Sequence, residues 1–205
     1  MYLDLTHEFT ANMPVFPGDG APELVKIADV SKDGIANHVV KTSMHVGTHM
    51  DAPAHMLVGG KLLSEYPVEK FFGRGVIIDA RGKSRADVGL LENVKIEKGD
   101  IVLVCFSWST EFEQEDYYLN YPEISPQFAS RLAESGASIL GLDTPSPDRA
   151  PYQVHKILFA QDVLIIENLT NLEQLVGKNQ FEVVALPTKF QTDAALTRVV
   201  AKIIS

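Results

Sequence analysis

Three of the six histidines in this 205-residue chain fall within eleven residues, His45-Val-Gly-Thr-His-Met-Asp-Ala-Pro-Ala-His55, together with Asp51. Imidazole and carboxylate side chains gathered in this way are the ligand types that hold zinc, manganese or iron(II). A cation so held lowers the pKa of a coordinated water towards neutrality, and a spare histidine beside it can move protons, since its ordinary pKa lies near 6.5. Closed structural zinc sites are typically rich in cysteine, and the only cysteine here is Cys105, inside the apolar run Ile101–Phe106. The pattern therefore points to catalysis rather than to a brace for the fold, and Cys105 reads as a small buried core residue.

The spacing decides which backbone can present these groups. His45 and His49 are four apart, which on a helix would share a face. Gly47 between them and Pro53 close behind argue against a helix. On a strand, His45, His49, Asp51 and His55 share one face, and Val46, Met50, Ala52 and Ala54 the other. A straight strand is nevertheless impossible for the whole set. At roughly 3.3 Å per residue its ends would lie about 33 Å apart, whereas ligands sit about 2 Å from a metal. His49 and Asp51 can act from one straight segment, but His45 and His55 require bends, and Gly47 and the Ala52-Pro53 step are where these are expected.

Short β-rich runs recur through the chain at Val39–Ser43, Val76–Asp79, Ile101–Phe106, Ile139–Leu142, Val163–Ile166, Val183–Leu186 and Arg198–Ile204. Continuous apolar runs of this length read as strands buried on both faces. One helix is well signalled: Ser125 caps it, Pro126 opens it, Phe128, Leu132 and Ala133 share a face, and Gly136 stops it. Weaker helical signals cover Pro67–Phe72, Asn168–Val176 and Ser84–Val94. Many strands and few helices place the chain in the mixed α/β class.

Composition narrows the function classes. The apolar fraction of 45% and charged fraction of 22% are those of a soluble globular protein, and nothing suggests a boundary, so residues 1–205 read as one domain. A net charge of −9 without any Lys/Arg cluster excludes nucleic acid as the default partner. No run has membrane-spanning length and the N-terminus lacks a signal-peptide pattern, so a cytoplasmic location is expected, with no membrane partner.

The pattern His45-x-Gly47-Thr48-His49-x-Asp51-x-Pro53-x-His55 resembles the signature of the cyclase-like metal-dependent hydrolases, the family of bacterial kynurenine formamidase and isatin hydrolase. The resemblance extends over nearly the whole chain. Asp4-Leu-Thr-His7 and Met13-Pro-Val-Phe-Pro-Gly-Asp19 resemble the family's opening strand and substrate loop, Gly141-Leu-Asp-Thr-Pro-Ser146 its central element, and His155 with Glu167-Asn168 the second half of its metal site.

The resemblance implies a layered β/β/α swivelling-domain fold with a mixed sheet, and two divalent metals per subunit, zinc first, with manganese or iron also admissible. His45, His49 and Asp51 would hold the first metal. Asp51 and Glu167 would bridge to a second, which His155 also binds. His55 would be the proton donor and acceptor, and Phe16 a substrate-binding wall, with Trp108 a second candidate. Read without the resemblance, Glu167 ends a buried run and needs a partner, which a cation, Asn168 or a lysine could supply, and His155 is an ordinary buried or surface histidine. His7 lies near the expected site, His38 on the surface, and Asp143 organises a loop.

The expected activity is hydrolysis of a small-molecule amide: an aryl formamide such as N-formylkynurenine, or an isatin-like cyclic amide, or another small amide or lactone. A metal-bound protein that binds a small ligand without turning it over is the reading from another class. Phe16 stands where kynurenine formamidases carry tryptophan, Thr48 resembles the wider cyclase branch, and Lys189–Ala195 replaces a glycine-rich loop. Family members form dimers or tetramers, so a homodimer or homotetramer is implied, although the sequence itself marks no interface.

Overall fold

The computed structural model describes residues 1–204. Twelve strands form: β1 (Tyr2–Asp4), β2 (Glu23–Ala28), β3 (Asn37–Lys41), β4 (His49–Asp51), β5 (Phe72–Asp79), β6 (Arg85–Ala86), β7 (Ile101–Cys105), β8 (Glu123–Ile124), β9 (Ile139–Leu142), β10 (Leu164–Glu167), β11 (Phe181–Pro187) and β12 (Ala194–Ile203). Eight of them make one mixed sheet in the order β1-β12-β11-β5-β7-β9-β10-β4. Strands β5, β7, β9 and β10 run parallel, and the remaining pairs are antiparallel. The start of β12 also pairs with β4, so the sheet curls round and closes on itself through the three residues His49–Asp51. The mixed α/β class expected from the sequence is the one observed.

The runs at the centre of the sheet become strands because both of their faces are covered, whereas the run beginning at Val39, expected to be buried, is exposed along β3, which pairs only with β2. In β7, Ile101, Leu103 and Cys105 enter a core with Met50, Ile166, Val183 and Val199. Val102 and Val104 enter a second core with Phe128, Leu132 and Leu158. A short helix α1 (Val30–Asp33) lies between β2 and β3, and that second core lies beneath the helices α2 (Pro126–Ser135) and α3 (Gln153–Phe159). Each such apolar side chain withdrawn from water contributes roughly 1.5–3 kcal/mol. The signals read for α2 act as expected: the Ser125 side chain accepts from Phe128 N–H at 3.2 Å, and Gly136 ends the helix at φ +77°.

The weaker helical signals shorten to single 3₁₀ turns at Val68–Phe71, Leu172–Leu175 and Val88–Leu91. Helix α3 and strand β2 had no expectation attached to them. In α3 the polar Gln153, His155 and Lys156 interrupt the apolar pattern, and only packing on the sheet buries Val154, Leu158 and Phe159. No helix among the described residues is long and apolar enough to cross a membrane.

Candidate metal centre and cavity

The segment from 45 to 55 bends at the two places its sequence suggests. Gly47 takes the left-handed conformation, φ +64°, which a residue with a Cβ adopts only at a cost. His49–Asp51 form β4, and Ala52 then leads into a 3₁₀ turn over Pro53–His55. His45, on the loop before the bend, and His55, in the turn after it, come back together with ring centroids 4.2 Å apart. Strand register supplies the second half of the cluster. Glu167, the last residue of β10, sits directly opposite His49. His155, from the first turn of α3, faces the same carboxylate.

The distances define a focus. His49 donates through Nδ1 to the Gly47 carbonyl at 2.8 Å, which leaves its Nε2 lone pair pointing inward. That nitrogen faces Asp51 Oδ1 at 3.4 Å and Glu167 Oε2 at 3.3 Å. His155 donates through Nδ1 to Asp148 Oδ1 at 2.6 Å, and its Nε2 lies 3.4 Å from Glu167 Oε1. His45 Nδ1 lies 3.1 Å from Asp51 Oδ1. These approaches are close but poorly aligned for hydrogen bonding: His49 Nε2 and both oxygens of Asp51 are buried without a hydrogen-bond partner. A ring nitrogen facing two carboxylates with no aligned hydrogen bond to either belongs to a donor set that a cation satisfies. Ligand atoms of His45, His49 and Asp51 lie within 4.8 Å of one another, as do those of Asp51, His55 and His155, so Asp51 belongs to both groups.

Electrostatics agrees with the geometry. Burial opposes charge on each imidazole, yet the carboxylates prevail. Asp51, Asp193 and Glu167 lift His45 to about 10, Asp148 and Glu167 lift His155 to about 9, and His49 is also raised. Burial likewise opposes ionisation of Asp51 and Glu167, but the surrounding histidines hold both below the ordinary carboxylate range. Two ionised, buried carboxylates demand positive charge, and a divalent cation meets that demand as protons on the imidazoles do.

A second layer fixes the ligands. Asn168, left-handed at φ +55°, donates through Nδ2 to the Gly47 carbonyl at 2.9 Å. Its own Oδ1 accepts from the buried Tyr117 hydroxyl at 2.8 Å, and its backbone carbonyl accepts from Thr48 at 2.6 Å. The carbonyl that orients His49 is thus held from both sides.

All six residues expected as ligands or acid–base group, His45, His49, Asp51, His55, His155 and Glu167, meet here. A cavity of about 370 Å³ opens on four of them, His45, His55, His155 and Glu167, walled by Phe16, Met56, Tyr118, Pro145 and Tyr152. Phe16 stands edge-on to Tyr118 at 5.6 Å between centroids. Trp108 does not line this cavity; its Nε1–H donates to the Tyr117 carbonyl at 3.1 Å and its ring packs against core. His7 stacks on Phe112 at 3.8 Å, outside the cluster, and burial lowers its pKa to about 4. His38 is exposed on β3. Asp143 organises a loop as expected, accepting from Phe106 N–H at 2.9 Å, and burial raises it to about 7.

Two carboxylates escaped the sequence reading. Asp193 Oδ2 lies 3.0 Å from His45 Nε2 and 3.1 Å from His55 Nδ1. Asp148 holds His155. The stretch containing Asp193 stood out only as a departure from a glycine-rich loop, and nothing local marks Asp148.

A closed mixed sheet that buries an imidazole–carboxylate cluster beneath an aromatic cavity defines a hydrolytic enzyme. Residues 3–149 match the family model described as "Putative cyclase", and the chain belongs to that family. Among relatives, a protein of Methanocaldococcus jannaschii of unassigned function is 31% identical over 97% of each chain. A kynurenine formamidase of Erythrobacter litoralis is 27% identical, covering 97% of this chain and 92% of its own. A solved structure described as a potential metal-dependent hydrolase with cyclase activity superposes with a TM-score of 0.85 at 26% identity, covering 100% of this chain and 98% of its own. Isatin hydrolase A from Labrenzia aggregata, at 24% identity, shares the fold with a TM-score of 0.87, covering 100% of this chain and 94% of its own.

Proposed function

We propose that this chain is a metal-dependent amidohydrolase acting on a non-peptide C–N bond, with an aryl formamide such as N-formylkynurenine as the first substrate class and an isatin-like cyclic amide as the second. The observation that carries the reading is the set of buried, unpartnered ligand atoms, His49 Nε2 and both Asp51 oxygens, beside the His45, His155 and Glu167 side chains that line an aromatic cavity. His45, His49 and Asp51 would hold one divalent cation, and Asp51, His155 and Glu167 a second, with zinc, manganese and iron all compatible with these ligands. Bound there, the cations would supply Lewis acidity that acidifies a water and polarises the substrate carbonyl.

The chain's own groups do the rest. His55 donates through Nδ1 to Asp193, which leaves Nε2 as the free nitrogen on the cavity side. From there it accepts the proton of the attacking water and returns it to the departing nitrogen, the work of one imidazole used twice. Phe16 and Tyr118 offer the apolar walls that a benzenoid ring requires, and Tyr152 closes the side nearest His155. The relatives named kynurenine formamidase and the isatin hydrolase fold support the choice of these two substrates.

The test pairs elemental analysis of the purified chain with turnover of formanilides, N-formylkynurenine and isatin. Bound divalent metal and turnover of at least one of these amides are expected. His55→Ala should keep its metal while turnover falls about 10²–10⁴-fold. Tight binding of these amides with no turnover, or full turnover by His55→Ala, would overturn the mechanism.

A further inference from the structure

Pro17 and Gly18 occupy the two central positions of a turn that Phe16 opens and Asp19 closes. Proline suits the first of those positions, and glycine supplies the positive φ of the second, +103°. Asp19 N–H donates to the Phe16 carbonyl at 2.9 Å. A turn so closed holds its end residues within about 7 Å of each other at the Cα. Tyr118 braces the loop from the other side: its hydroxyl donates to the Pro14 carbonyl at 3.1 Å, and its ring meets Phe16 edge-on. One braced turn therefore presents an aromatic ring and a carboxylate to the same cavity.

The charge on that cavity's wall is one-sided. No lysine or arginine lines it, and apart from the groups of the metal centre Asp19 is its only charged side chain. Other surface aspartates are answered by a cation, Asp29 by Lys26, Asp79 by Arg81 and Asp162 by Lys61, whereas Asp19 makes no ion pair among the described residues. Its field reaches inward: burial raises the Tyr118 hydroxyl above the ordinary phenol range, and Glu167 and Asp19 raise it further. A free carboxylate at the opening of a cavity with no opposing cation attracts a positive group and repels a negative one.

We propose that Asp19 is a specificity-determining residue that receives a primary ammonium carried on a short arm of the aromatic substrate. The proposal rests on the amidohydrolase reading of the same cavity and names the substrate class within it. With the substrate ring against Phe16 and Tyr118, an arm of roughly two to four atoms spans the width of the turn to the carboxylate. A carboxylate on that arm finds no cation on the wall and faces Asp19 instead. The ranking among aryl formamides is therefore amine first, neutral arm second and acid last, with an amino-acid arm behind the amine.

The test ranks kcat/KM of the metal-loaded chain on formanilides that carry a 2-aminoethyl, a 2-hydroxyethyl or a 2-carboxyethyl arm on the ring, with N-formylkynurenine as the amino-acid arm. The wild-type chain should prefer the ammonium to the hydroxyl about 10-fold, the effect of one hydrogen bond between charged groups, with the carboxylate last. Asp19→Asn should bring the ammonium-to-hydroxyl ratio to within about threefold of unity, and Asp19→Lys should put the carboxylate first. Glu69→Gln, an exposed acid outside the cavity, should keep the wild-type ranking. A second measurement needs no variant: the wild-type preference should shrink as salt rises from about 20 to about 500 mM, since a pair at a cavity opening is screened. Ammonium and hydroxyl arms turned over alike by the wild type, or a ranking that both Asp19 variants leave unchanged, would overturn the proposal. Calorimetric binding of the anilines bearing the same three arms repeats the ranking without turnover. If no amide is hydrolysed but that order holds and inverts in Asp19→Lys, the amidohydrolase reading falls and the ammonium subsite stands. Hydrolysis without any ranking by charge keeps the reading and removes the subsite.

Discussion

One oxygen of Asp193 lies 3.1 Å from Nδ1 of His55, and the same oxygen reaches Nε2 of His45 at 3.0 Å. One carboxylate therefore sets the orientation of both a candidate ligand and the candidate acid–base group. It holds His55 with Nε2 free and His45 with Nδ1 towards Asp51. Burial works against its charge, but His45 and His55 keep its carboxyl below the ordinary range.

Asp193→Asn is expected to lower kcat about 10–100-fold, the usual effect of removing a partner of a metal-site histidine. KM should change little, and metal content should stay within a factor of two. Rescue by the conservative variant separates this from mere structural damage: Asp193→Glu, which keeps a carboxylate, should recover part of the lost kcat at an unchanged folded fraction. Equal kcat in the two variants, or a loss that merely follows the folded fraction, would count against the positioning role.

Glu167→Gln removes the carboxylate whose two oxygens face His49 and His155 separately. Elemental analysis should then show about one metal fewer per chain, because Asp51 is then the only carboxylate left facing the centre on that side, Asp148 being engaged on the other nitrogen of His155. Equal stoichiometry in the variant and the wild type would place Glu167 outside the ligand set.

Gly47→Ala tests the bend. The position is left-handed, and the added Cβ would approach Met13 Cε to 2.6 Å. The methionine end can move, so backbone strain of about 1–2 kcal/mol is the larger effect. For a chain of this size that lowers Tm by roughly 2–8 °C. Metal affinity should fall as well, since the Gly47 carbonyl orients His49.

His7 predicts an acid-side effect unrelated to the cluster. Burial holds its folded pKa near 4, below the ordinary 6.5. The unfolded chain takes up the proton first, so the stability tied to neutral His7 is complete above pH 6.5 and is lost as pH falls from 6.5 through 4. His7→Phe keeps the stack on Phe112 and removes the titration. Urea midpoints at pH 7.5 and 5 should drop less in the variant than in the wild type. Equal drops would show that His7 carries no linkage.

The ligand-bearing segment was legible because its chemistry is dense and local. His45, His49, Asp51 and His55 lie within eleven residues, and the distance limit on a straight strand already demanded the bends that Gly47 and Ala52-Pro53 provide. The runs that form β7, β9 and β10 were legible for a similar reason: burial on both faces writes itself into consecutive residues. The exposed hairpin of β2 and β3 was only half visible. Val39–Ser43 read as a strand, but its partner Glu23–Ala28 alternates charge with aliphatics and has no buried face to mark it.

What the sequence by itself determined is therefore short-range: the strands, the capped helix α2, the kinds of ligand and the need for the chain to curl at 45–55. These depend on side-chain type, spacing and backbone preference within a few residues. Only the tertiary structure decided which distant carboxylates complete the centre. Glu167 meets His49 through the register of β10 on β4, and Asp193 meets His55 across 138 residues because β12 begins where it closes the sheet on β4. Asp148 reaches His155 through the packing of α3. Pairing register and sheet closure are set by the summed burial of many residues, and that sum leaves no mark at the one aspartate it positions.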